Sequence, residues 1–431
     1  MDNTIYKNRR NNLKELLPNN SVLLIPGADL QYRNADSAFP FRQDSSFYYL
    51  SGFCEPSSLI AIVNNKDGIK SIIFVPPKDK LKEIWDGHRS GPVGAVDDFL
   101  FDKAYDNLQI DKILPDILHG HEEVLYPIGK KKGFDQQVID WTTAAGSKDR
   151  HSKSINIIDA TSLIGNMRLI KDEHEINLIR KACDISAEAH IEAMKSVKDG
   201  DNEQQIESMY IHEFSKRGAR FPAYNPIIAG GENACVLHYV ENNQNLKSSD
   251  LLLVDAGCEY QMYAADITRT FPVSGKFSEE QLQIYKIVLD AMNAAIDSVK
   301  EGNNIMQPQE ISEKVITEGL VNIGLLKGDP EELHESGAYK DFYMHKIGHW
   351  LGLDVHDAGD YTEGDEFMTF KPGMITTIEP GIYISSKMDV DDKWKGIGVR
   401  IEDDILVTKD GNENLTKKVP SDPNEIESLM S

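Results

Sequence analysis

The 431-residue chain predicts an α/β N-terminal domain followed by an α+β C-terminal domain, the latter a mostly antiparallel sheet flanked by helices. Three observations carry this. At roughly 150 residues per domain, the length calls for two or three domains, each with its own core. The first third alternates short apolar runs with polar helical stretches, the mark of an α/β layer. From Lys171 the texture changes to long amphipathic helices, with strand-like pairs between and after them. The boundary is placed near residue 170, giving domains 1–168 and 169–431.

Each element follows from local pattern. "YKNRRNNLKELL" reads as a polar helix leading to the strand "SVLLIPG"; "SSLIAIVNN" and "SIIFVPP" are further strands. "KDKLKEIWDG" is a helix or turn, and "SINIIDA" is a closing strand near Ala160. In "KDEHEINLIRKACDISAEAHIEAMKSV", Ile176, Ile179, Ala182 and Ile185 keep helical spacing, with acids in the first turn where the helix dipole favours them. A second helix is expected after Asp201 as its cap, a third after Ser278, and a fourth at "PQEISEKVITEGLVNIG". "LLLVDAGCEYQMYAADITRTFPV" reads as a hairpin. "MITTIEPGIYI" and "GIGVRIEDDILVT" read as single strands, and "VPSDPNEIESLMS" as a loose tail.

Bulk composition excludes several classes. Apolar residues make up 40% and charged residues 27%, as in ordinary globular proteins. No apolar run approaches the roughly 18 residues that span a bilayer, and "MDNTIYKNRRNNLKELL" lacks the apolar core of a secretion signal. Acidic residues exceed basic ones by 70 − 46 = 24, which opposes binding to nucleic acid or anionic membrane. Cys54, Cys183, Cys235 and Cys258 form no CxxC pair, so reduced cysteines and a cytoplasmic location are expected.

The chemistry-bearing residues lie in the second domain. Asp255 and Asp266 stand on opposite arms of the expected hairpin, where two carboxylates side by side repel unless a cation lies between them. "MHKIGHWLGLDVHD" places His345, His349 and His356 within twelve residues. Glu379 ends an apolar strand before Pro-Gly, and Glu402 falls inside a predicted strand beside Arg400, its candidate ion-pair partner. Each residue alone has an ordinary explanation as a turn cap, a core histidine or a paired acid. Together, four carboxylates and one imidazole at positions of expected burial form an oxygen-rich set. That set suits Mn²⁺, with Co²⁺, Fe²⁺ or Zn²⁺ as alternatives. Four carboxylates exceed what one cation needs, which suggests two, some 3.5–4 Å apart.

In order, "VDAGCEYQMYAADITRTFPVSGKF", "HKIGHWLGLDVHD", "TTIEPGIYI" and "GIGVRIEDDILVT" resemble the metal-site motifs of aminopeptidase P, a metallopeptidase family with the pita-bread fold. "FRQDSSFYYLSGF" resembles the creatinase-like N-terminal domain of the same family. The resemblance implies that Asp255 binds one metal, that His349 and Glu379 bind the other, and that Asp266 and Glu402 bridge the pair. It further implies that Glu379 shuttles the proton and that His238, in "NACVLHYVEN", lies near the substrate amine and the attacked carbonyl. His345 and His356 would flank the scissile bond and the proline pocket, and Arg400 would support the metal-binding carboxylates. The implied activity is release of the N-terminal residue from peptides with proline second, by a dinuclear-metal-activated hydroxide, in a homo-oligomer of two or four subunits. Dipeptide cleavage, as in prolidase, and a non-enzymatic pita-bread binding protein are the alternatives. Two departures bear on the substrate rim: Lys346 follows the first histidine of its motif, and "DYTEGDEF" is acidic where relatives often carry arginine. Trp85 resembles a tryptophan that relatives lend to a neighbouring subunit's site.

Overall fold

The computed structural model describes residues 3–149, 151 and 153–431. The chain divides into two compact units, Met1–Met167 and Arg168–Ser431.

The first unit is built on a six-stranded mixed sheet. Its strand order is Lys103–Asp106, Gly68–Val75, Leu59–Asn65, Ser21–Pro26, Glu123–Tyr126, Asn156–Asp159. Ser21–Pro26 and Gly68–Val75 flank Leu59–Asn65 antiparallel, and the remaining pairs are parallel. The near-continuous apolar runs follow from burial of both faces. On one face Val22, Leu24, Ala61, Val63 and Phe74 pack against Leu114, Leu118, Val138 and Trp141 of the helices Ile110–Leu118 and Lys132–Gly146. Leu23, Ile25, Ile60, Ile62 and Ile73, of the opposite parity, are equally buried. The helix Lys80–Asp86 differs: it buries no residue, and Leu81, Ile84 and Trp85 are exposed.

In the second unit every strand ladder is antiparallel. The four expected helices form as Glu173–Ser196, Glu203–Lys216, Glu279–Ser298 and Gln307–Asn322. The cap of the second is Asn202 rather than Asp201. Asn202 completes a capping box with Gln205, while the Asp201 carboxylate accepts from the Lys198 N–H and is already committed.

Three further expectations are corrected. The hairpin is not one ladder. Leu251–Asp255 pairs with Thr268–Pro272, placing Asp255 opposite Thr268, but Cys258–Tyr260 and Tyr263–Ala264 join a different sheet. The transfer occurs at Gly257, where a Cβ would stand 1.8 Å from the Ala265 carbonyl oxygen, so only glycine permits it. "MITTIEPGIYI" and "GIGVRIEDDILVT" each break in two, into Ile375–Ile378 with Gly381–Ile384 and into Ile397–Arg400 with Asp403–Thr408. Pro380 has no N–H for a ladder. Glu379 N–H instead donates to the Ile347 carbonyl at 2.7 Å, and Glu402 N–H to the Thr268 carbonyl at 3.0 Å. Glu402 therefore sits at a corner, not inside a strand. Finally, the tail is ordered: Asp422 caps the helix Pro423–Leu429, and Ile426 is fully buried. The sequence signal was present, an aspartate cap before a proline in the first turn.

Candidate active site

The strand breaks create the site. Asp255 ends a strand, and Asp266, Glu379 and Glu402 lie at corners between strands. His349 lies in the irregular segment after Tyr343, pinned by its own N–H to Thr377 Oγ1 at 3.0 Å. A corner frees a side chain from strand alternation, and here several are turned to one point. All nine candidates, His238, Asp255, Asp266, His345, His349, His356, Glu379, Arg400 and Glu402, line one cavity of about 550 Å³.

At its floor, ligating atoms of Asp266, His349 and Glu402 lie within 4.8 Å of one another. His349 Nε2 is 3.5 Å from Asp266 Oδ2 and 3.6 Å from Glu379 Oε1. Asp255 joins through Tyr224, whose hydroxyl lies 2.6 Å from Asp255 Oδ1 and 2.5 Å from Asp266 Oδ1. One hydroxyl proton cannot serve both carboxylates. Burial, then the Asp255 charge, pushes the Asp266 carboxyl up, while burial raises Glu379 to about 7 against the pull of His349 and Arg400. Burial and the charges of Asp266, Glu379 and Asp255 drive Glu402 far above the carboxylate range. Burial opposes charging of His349, but Asp266 and Glu379 outweigh it and lift the imidazole to about 9. These shifts describe an acid cluster short of positive charge. A cation among Asp266, His349 and Glu402 would supply that charge, and oxygen donors with one imidazole suit a hard or borderline ion. His349 Nδ1 donates to the Trp350 carbonyl at 3.1 Å, which directs Nε2 to the acids as a ligand nitrogen needs.

Around this floor the remaining candidates are positioned by hydrogen bonds. Arg400 does not pair with Glu402 as its hydrogen-bond partner. Its guanidinium donates to Asp255 Oδ2 at 2.6 Å, to Thr268 Oγ1 at 3.2 Å and to the Tyr383 hydroxyl at 3.1 Å. Tyr383 in turn donates to His345 Nε2 at 2.8 Å, while His345 Nδ1 donates to the Lys346 carbonyl. Burial and Arg400 hold His345 neutral, at about 4. The His356 ring lies 4.1 Å from that of His349, and burial and His349 lower its basicity. His238 stands exposed at the mouth.

Several supporting residues were not picked from sequence. Tyr224, in "FPAYNPII", gave no local signal. Asp404 accepts the Asp266 N–H at 3.0 Å and lies in the acidic run "EDD", a legible oddity at the start of an apolar strand. Glu203 accepts from Gly230 N–H and Asn233 on one oxygen and from Tyr239 and Gln244 N–H on the other, fixing the loop that carries His238. His190 is fully buried: Nε2 donates to the Ala256 carbonyl at 2.9 Å, beside Asp255, and Nδ1 accepts from Tyr210 at 3.0 Å.

Burial holds His190 at about 4, below its ordinary value of 6.5. The unfolded chain therefore binds a proton between these values that the folded chain does not. Stability is expected to climb from about pH 4 to about pH 6.5 and then level, by on the order of 3 kcal/mol from this group. Urea midpoints of the parent and of His190→Asn should diverge as pH rises through that window. A constant difference across it would contradict the assignment.

A cleft whose floor brings acids and an imidazole within reach of one another is a candidate metal centre, as in a metallohydrolase. A family model described as metallopeptidase family M24 matches residues 177–409, and one described as the aminopeptidase P N-terminal domain matches residues 6–126. An Xaa-Pro aminopeptidase of Haemophilus influenzae is 44% identical over 426 residues, covering 99% of this chain and 97% of its own. The Xaa-Pro aminopeptidase of Escherichia coli is 40% identical over 428 residues, with 99% and 97% covered. The solved structure of Pseudomonas aeruginosa aminopeptidase PepP superposes with a TM-score of 0.97 at 43% identity, covering 100% of this chain and 98% of that one. The chain belongs to metallopeptidase family M24, with the two-domain plan and pita-bread fold of aminopeptidase P.

Proposed function

We propose that this chain is an Xaa-Pro aminopeptidase, releasing the first residue of peptides whose second residue is proline. The observation that carries the reading is the convergence of four carboxylates and one imidazole on one cleft floor, in a chain similar to two Xaa-Pro aminopeptidases along 99% of its length. Asp255, Asp266, His349, Glu379 and Glu402 would hold two divalent cations, Mn²⁺ by preference. Such a pair, when bound, supplies an acidified water and a polarised carbonyl.

The chain's own residues do the rest. The free α-amine of the substrate would approach the cations and their acidic ligands, which restricts attack to the first peptide bond. Glu379, half-buried and 3.6 Å from His349 Nε2, takes the proton of the attacking water at its carboxylate and returns it to the proline nitrogen. His238 or His356 donates to the developing oxyanion. Arg400 fixes Asp255 and, through Tyr383, the ring of His345. Proline nitrogen carries no hydrogen in the peptide, so a cleft that holds the ring without requiring an N–H accepts what other peptidases reject.

Two finer readings go with this. The exposed apolar face of the helix Lys80–Asp86, with Trp85 at 87% exposure, favours assembly with further copies of the chain. All four cysteines are free thiols, which fits a reducing, cytoplasmic setting. No helix among the described residues is long and apolar enough to cross a membrane.

The test is a manganese-supplemented assay on Xaa-Pro dipeptides and on longer peptides with and without proline second. Metal-dependent release of the first residue from the longer proline peptides is expected. Cleavage confined to dipeptides, or indifferent to proline, would overturn the reading.

A further inference from the structure

Lys346 lines the same cavity as the acids, immediately after His345. Its backbone is firmly placed. Its carbonyl accepts from His345 Nδ1 at 2.8 Å, and the next residue, Ile347, donates its N–H to Gln309 Oε1 at 2.6 Å and accepts from Glu379 N–H at 2.7 Å. The side chain is exposed to the cleft, and among the described residues its ammonium has no ion-pair or hydrogen-bond partner. The other full charges on the wall are engaged. Arg400 is bonded to Asp255, and Asp266 and Glu379 face His349, with Glu402 beside them at the floor. Lys346 is thus the cation of this cleft whose counter-charge the described residues do not supply.

A peptide entering the cleft carries an ammonium at one end. In the proposed reading the metal-bearing floor holds that end, and Lys346 repels it, so Lys346 suits the other end. We propose that Lys346 is a specificity-determining residue that binds a substrate carboxylate carried beyond the proline. Two sources share this chemistry, the terminal carboxylate of a tripeptide and an acidic side chain at the third position. The inference rests on the Xaa-Pro aminopeptidase reading and names the preference within it.

The experiment measures kcat and KM for the manganese-loaded, full-length parent, Lys346→Gln and Lys346→Arg. Four peptides are used: Ala-Pro-Ala, Ala-Pro-Ala amide, Ala-Pro-Asp amide and Ala-Pro-Asn amide. The parent should favour Ala-Pro-Ala over its amide, or the Asp amide over the Asn amide, by about two- to fivefold in kcat/KM, the span of an exposed ion pair. The preference should reside in KM, weaken with added salt, collapse to about one in Lys346→Gln and persist in Lys346→Arg. The first pair identifies the terminal carboxylate as the source and the second pair the side chain. Equal ratios in the parent and Lys346→Gln, with all four peptides cleaved, would overturn this inference and leave the aminopeptidase reading standing. Failure of the parent to cleave any of the four would overturn both.

Discussion

Glu402→Gln is expected to lower kcat/KM on a peptide with proline second by more than about 100-fold, since losing a partner that only supports a metal ligand already costs roughly 10–100-fold. The folded chain should not suffer. Glu402 is buried among Asp266, Glu379 and Asp255, and these neighbours with burial itself favour its neutral form when no cation is present. Glutamine keeps the shape, and its carbonyl oxygen can still accept from Thr268 Oγ1, now 2.6 Å from Glu402 Oε2. The metal-stripped variant should therefore melt at or above the temperature of the stripped parent. Adding manganese should raise the parent's Tm, because a ligand at 100 times its Kd stabilises by about 2.7 kcal/mol, and should raise the variant's much less. Differential scanning fluorimetry with and without metal reads both effects. An equal manganese-induced rise in the two proteins would remove Glu402 from the metal site.

The second large effect concerns the loop bearing His356. Asp357 is buried and bonded to two buried cations, Arg168 and Lys171, the latter at 3.0 Å. Its N–H also donates to the Trp350 carbonyl at 2.8 Å, folding the segment back so that His356 meets His349. Asp357→Asn leaves two buried cations short of a counter-charge. Breaking such a buried arrangement costs about 3–5 kcal/mol, so Tm should fall by on the order of 10 °C. Turnover should drop below what the residual folded fraction explains, because His356 loses its fixed place. Asp354→Asn is the control. Asp354 pairs with the same Arg168 at 2.7 Å, but its side chain is 42% exposed, and the loss should stay under about 1 kcal/mol. Equal losses from the two variants would mean that burial of the carboxylate is not what matters.

Much of this site was legible because its chemistry is unusual for its setting. Acids at the ends of apolar strands, and three histidines in twelve residues, stand out against the pattern of a packed sheet. The conformation that makes them converge was not legible. The Pro-Gly after Glu379 marks the end of an apolar strand, but strand periodicity runs smoothly through "GIGVRIEDDILVT", which nonetheless breaks at Glu402. The competing bonds, to Ile347 and Thr268, come from distant segments. The partner of Arg400 shows the same limit. Proximity in sequence favoured Glu402, two residues away, whereas the structure pairs it with Asp255, 145 residues away.

By itself the sequence determined the four long helices of the second unit, through apolar spacing and caps such as Ser278 with Gln281, and the identity of the acids and imidazoles. These are local properties, set by side-chain type and by neighbours three or four residues off. Tertiary structure alone decided where the strands turn, which acids share the hydroxyl of Tyr224, and which cations balance Asp255 and Asp357. Those outcomes depend on the desolvation of charges brought together from far along the chain. Burial makes such pairings strong and selective, and no stretch of contiguous residues encodes them.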